Sequence, residues 1–147
     1  MTWHNPCRLL HEELVDFRTI TIQNNDLEQT RETKVLIDSI IEGIQDKKGH
    51  GITVLDMHDL HERVCDYMII AEGNTNTQLR SLEGAVWDKT LEKVGEKPLR
   101  THVGGGEWIG MDYGNVIVHL FLPKMREYYR LEQLWADAEV MHIPDLD

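Results

Sequence analysis

Residues 107–123 read EWIGMDYGNVIVHLFLP, and this stretch decides the fold. Two apolar runs, EWIGMD and NVIVHLFL, flank a turn at Tyr113 and Gly114, and glycine supplies the backbone freedom a tight reversal needs. Pro123, with no amide to give a ladder, ends the second run. Upstream, Gly104, Gly105 and Gly106 form a loop that leads into the hairpin. Before them KPLRTHV (97–103) reads as a strand, placed at a sheet edge or a strand start by Pro98.

Leu36, Ile37, Ile40, Ile41 and Ile44 recur at helical spacing among acidic and amide residues, which predicts an amphipathic helix ending near Lys48 and Gly49. ITVLDM (52–57) and DYMIIAEG (66–73) read as strands joined by the polar linker HDLHERVC. NTNTQ (74–78) then offers caps, with Thr75 and Gln78 at capping-box spacing. Leu79, Leu82, Val86 and Leu91 share the face of a second helix that Gly95 stops. KMREYYRLEQLW (124–135) predicts one short final helix. The order gives an α/β (α+β) class: a single domain with a mixed β-sheet flanked by helices. Residues 1–26 read as a weakly ordered extension, or an over-long start to the reading frame, in which TITI alternates like a short strand. Residues 27–137 form the domain and 138–147 a polar C-terminal tail.

The chain has 147 residues, enough for one core. Fifteen Lys and Arg against 26 Asp and Glu give a net charge of −11. Repulsion from phosphate therefore argues against direct nucleic-acid recognition, while a basic protein partner is favoured. No uncharged apolar run approaches the roughly 20 residues of a membrane span. Two cysteines, Cys7 and Cys65, imply no disulfide framework, and an acidic N-terminus without an apolar core argues against a targeting peptide. A cytoplasmic location is expected.

Catalytic chemistry finds little support in the sequence. Gly73 stands between a strand and a helix, where amides can hold phosphate, but lacks the further glycines or the Gly-Lys-Ser/Thr of nucleotide sites. His58 and His61 are a close pair without a third zinc ligand at the usual spacing, so no metal is expected. His119 lies within an apolar strand and reads as a packed histidine. Asp66 and Asp112 are strand-edge carboxylates without an identified partner. Asp56 and Asp59 have the wrong spacing for a nucleotidyltransferase carboxylate pair, and no Gly-Ser precedes them. Cys65 reads as packed, with no neighbouring base. No catalytic residue and no cofactor are expected.

The stretches IIEGIQDKKGHGITVLDM, CDYMIIAEGNTNTQLRSLEGAVWDKTLEK and GEWIGMDYGNVIVHLFLPKMREYYRLEQLW resemble the ribosomal silencing factor family (RsfS, Iojap), with the likeness running from about Lys34 to Trp135. The resemblance implies a nucleotidyltransferase-like topology without the catalytic signature. It also implies a translation repressor that binds the large ribosomal subunit through ribosomal protein L-fourteen and blocks joining of the small subunit. The alternative is a nucleotide-binding enzyme of the same topology. Asn115 replaces the family's usual Asp in the hairpin turn, which Asn also suits. A homodimer is left open.

Four residues are expected at the partner contact. Trp108 alternates with Gly110 and Asp112, both poor core residues, so it reads as lying on an accessible sheet face, with Ile109 and Met111 on the other. The competing reading tucks Trp108 under the hairpin loop. On the last helix Tyr128, Leu131 and Trp135 share a spacing suited to sheet packing, which turns Tyr129 and Glu132 toward the edge. Asp112 and Glu132 would then steer a basic partner.

Overall fold

The computed structural model describes residues 17–146, with side chains described from residue 27. The elements are α1 (Phe17–Asp46), β1 (His50–Asp56), β2 (Tyr67–Glu72), α2 (Asn76–Val94), β3 (Arg100–Gly104), β4 (Trp108–Asp112), β5 (Val116–Phe121), α3 (Pro123–Tyr129), α4 (Leu131–Leu134) and β6 (Glu139–His142). The six strands form one sheet in the order β3-β4-β5-β2-β1-β6. Only β2 and β5 run parallel, so the sheet is mixed as expected. Contacts divide the chain after Lys34, and the part of α1 from Val35 onward belongs to the unit that carries the sheet.

Local sequence explains most of this. Thr75 caps α2 by accepting a hydrogen bond from the Gln78 amide at 3.0 Å, and the Gln78 side chain accepts from the Asn74 amide at 2.7 Å. Gly95 ends α2 in the left-handed conformation. The hairpin closes with the Tyr113 amide donating to the Val116 carbonyl at 2.8 Å, and β3 occupies the sheet edge, as Pro98 suggested.

Alternation along the strands splits the interior in two. Ile69, Ile109, Met111, Val118 and Leu120 meet Leu36, Ile40 and Ile44 of α1 and Leu79, Leu82 and Val86 of α2, all fully buried. Each such aliphatic side chain contributes about 2 kcal/mol of transfer free energy. Thr90 and Tyr113 share a buried hydrogen bond of 2.9 Å, and burial pushes the Tyr113 hydroxyl pKa up to about 12. The opposite face holds Leu55, Met57, Met68, Ile70, Phe121 and Ala138, with Met125, Leu131 and Trp135 only partly buried over them.

Three expectations change. TITI lies inside α1 rather than in a strand, because a helix satisfies its backbone internally whereas a four-residue strand needs a neighbour. The rest of the expected extension, residues 1–16, lies outside the described residues. The polar stretch 138–147 carries β6, which pairs antiparallel with β1; beyond it, Ile143 donates its amide to the Ile52 carbonyl at 2.9 Å. The single final helix is broken at Arg130, whose φ of 48° is left-handed. Among the described residues no helix is long and apolar enough to cross a membrane.

Candidate protein-docking face

Trp108 opens β4 opposite Gly104 of β3 and Phe121 of β5. Its indole rests over two glycines: a Cβ on Gly104 would come within 2.7 Å of Cε3, and one on Gly110 within 3.0 Å of Cζ2. Glycine at both positions leaves the space the ring occupies. Ile109 and Met111 point to the helix-covered side and are fully buried, as alternation requires.

The Trp108 Nε1–H donates to His119 Nδ1 at 2.9 Å, so the ring proton of His119 sits on Nε2. Burial holds the His119 pKa down to about 4, which keeps the ring neutral at pH 7. Around Trp108, ring centroids lie at 5.0 Å (His102), 5.8 Å (His119), 6.4 Å (Tyr129) and 6.5 Å (Phe121). Tyr128 meets Tyr129 edge-on at 5.3 Å. These distances suit offset and edge contacts between aromatic rings. Trp108 is half-buried, while Tyr129 is 47% and Tyr128 77% exposed. A shallow groove of about 320 Å³ runs beside the indole, lined by Arg100, His102, Trp108, Asp112, Ile117 and His119.

The four residues singled out by sequence are placed unequally. Trp108 and Tyr129 come together in the ring cluster, and Asp112 lines the same groove. Asp112 is engaged internally: Oδ1 accepts from the Gly114 amide at 2.7 Å and Oδ2 from Arg100 at 3.1 Å. Glu132 belongs to a separate cluster, where its Oε2 accepts from Arg126 Nη2 at 2.9 Å and Nε at 3.1 Å. Tyr128 corrects the expectation that it packs on the sheet. The turn at Arg130 breaks the helical spacing that would have aligned it with Leu131 and Trp135. His102 and Arg126 had no signal in the sequence, since one is a polar residue beside others in an edge strand and the other one charge among several on a short helix.

Gly73, Cys65 and His58 are each engaged within the fold. Gly73 donates its amide to the Phe121 carbonyl at 3.0 Å, and Gln78 spans from the Asn74 amide to the Lys47 and Lys48 carbonyls at 3.2 and 3.1 Å. That turn is occupied by the protein's own groups. Cys65 donates its thiol to the Tyr67 carbonyl at 3.2 Å, and burial pushes its pKa up to about 11, so thiolate is scarce at neutral pH. His58 is held between Asp56 and, at 3.3 Å, Asp59.

The family model described as "Ribosomal silencing factor during starvation" matches residues 29–147. A Bacillus subtilis (strain 168) protein named ribosomal silencing factor RsfS is 33% identical over 102 residues, covering 69% of this chain and 83% of that protein. A Chromobacterium violaceum protein of the same name is 37% identical over 96 residues, covering 65% and 78% respectively. Among solved structures, a Chromobacterium violaceum protein superposes with a TM-score of 0.61 at 33% identity, covering 73% of this chain and 85% of that one. A Bacillus halodurans protein does so with a TM-score of 0.61 at 26% identity, covering 74% and 97%.

Proposed function

This chain belongs to the ribosomal silencing factor family, and from that premise we propose that it represses translation as a non-enzymatic binding protein. In this reading it docks on the large ribosomal subunit through ribosomal protein L-fourteen, and its bulk obstructs joining of the small subunit. The observation that carries the reading is the ring cluster centred on Trp108, partly exposed on the sheet face that α1 and α2 leave uncovered. Aromatic anchors of this kind concentrate binding energy at interfaces of about 600–800 Å² per partner. Trp108 and Tyr129 hold the partner. Asp112 and Glu132, in a chain of net charge −11, steer a basic one.

Sedimentation with purified large subunits through a density gradient tests this directly. Co-migration at low salt is expected, and its loss in Trp108→Ala with the fold retained. A parent protein that stays at the top of the gradient would remove the claim. Thermal melts with nucleotides and a divalent metal address the enzyme alternative, for which a clear stabilisation at micromolar nucleotide would speak.

A further inference from the structure

We propose that Arg126 is a positioning residue for the docking face: its guanidinium fixes α3 on the sheet so that Tyr129 stays against Trp108. The inference rests on the docking reading above and adds the device that holds its surface in shape.

α3 has seven residues, too few for its own hydrogen bonds to hold it, and its apolar packing is partial: Met125 is partly buried against the sheet, and the Tyr129 ring rests beside Phe121 and Trp108. Arg126 supplies the polar anchor. Its side chain is only 12% exposed. Nη1 donates to the Gly51 carbonyl at 2.6 Å and Glu72 Oε2 at 2.8 Å, and Nη2 donates to Thr53 Oγ1 at 3.0 Å and Glu132 Oε2 at 2.9 Å. Nε adds a second bond to Glu132 Oε2 at 3.1 Å. One planar group therefore ties α3 to β1, β2 and α4. Lysine cannot reproduce this, because its ammonium is a point charge without the fixed fork.

The strand below is shaped to receive the guanidinium. The β1–β2 register is irregular between His50 and Thr53. Gly51 lies there at φ +63°, and a Cβ on it would stand 2.7 Å from Arg126 Nη1 and 2.9 Å from Glu72 Oε2. A side chain at this position would displace the fork. On α3, Tyr129 follows Arg126 by three residues, about one turn, and sets its ring 6.4 Å from Trp108 and 5.8 Å from Phe121. Releasing Arg126 frees the short helix and lets the Tyr129 ring leave the cluster, while the aliphatic core beneath α1 and α2 is untouched.

The test compares Arg126→Lys with Val86→Ala, a core variant remote from α3, by two readouts on the full chain. Nuclear Overhauser contacts between the Tyr129 and Trp108 rings are expected to vanish in Arg126→Lys and persist in Val86→Ala. Affinity for purified large subunits should fall about tenfold in the first and stay near the parent value in the second. Gly51→Ala, which touches neither ring, should reproduce the Arg126→Lys result and carries the test if that variant does not fold. Ring contacts that survive in Arg126→Lys, or in Gly51→Ala where that variant stands in for it, overturn the proposal. A parent that does not bind large subunits overturns the docking reading instead, and the ring contacts still decide the role of Arg126.

Discussion

The two faces of the sheet use the same strands to different ends. Beneath α1 and α2 the side chains are aliphatic and fully buried. On the opposite face, toward β3 and β4, three rings, two histidines and two glycines come together, and there Phe121 is buried while Trp108 and Tyr129 are only partly covered. The difference separates energy already spent on folding from apolar surface still available to a partner, since an exposed ring gains its burial only on association. Ile109 and Trp108, adjacent along β4, stand on opposite sides of this division.

Truncating each of these two neighbours separates the faces. Ile109→Ala leaves a cavity in the helix-covered core and should cost about 3 kcal/mol of stability, measured by urea denaturation, with binding per folded molecule unchanged. Trp108→Ala should do the reverse, weakening large-subunit affinity by about 2 kcal/mol with a smaller loss of stability. Stability losses of equal size would mean that Trp108 is a core residue and that the two faces do not differ.

Acid offers a finer probe of the ring face. An unfolded histidine takes up its proton near its ordinary pKa of 6.5, but His119 in the fold does so only near 4. Its contribution to stability is therefore complete above about pH 6.5 and lost as pH falls toward 4. His119→Asn keeps an acceptor for Trp108 Nε1 without the titration. It should lose less stability than the parent between pH 6.5 and 4.5 in paired thermal melts, and parallel curves would count against the buried neutral ring.

The smallest expected effect concerns charge. Association with large subunits should slow clearly between about 50 and 500 mM salt, because screening removes long-range steering. Replacing Asp112 and Glu132 by Asn and Gln should flatten that dependence only partly, since each carboxylate already pairs with an arginine of its own chain. Stopped-flow slopes equal to those of the parent would remove both from the steering surface.

Sequence made the central hairpin legible because alternation, a turn glycine and a terminal proline all point the same way there, and the capping box of α2 because its signal spans four residues. β6 was hidden for the opposite reason. All four of its residues are exposed, so no apolar alternation marks it, and its place comes from backbone pairing with β1, more than 80 positions earlier. Tyr128 was misread because helical spacing was carried through Arg130, where the backbone turns left-handed. At the candidate site, Trp108 could be placed on its face from the small neighbours that alternate with it. The partners of Arg126 could not be found this way, since the Gly51 carbonyl lies 75 residues away and only the folded chain brings the two together.

Obstruction of subunit joining is measured by light scattering after rapid mixing of small and large ribosomal subunits. With the large subunit preincubated with this protein, the joining signal should be suppressed in proportion to occupancy, and Trp108→Ala at equal concentration should restore it. Full joining in the presence of saturating, demonstrably bound parent protein would contradict the account.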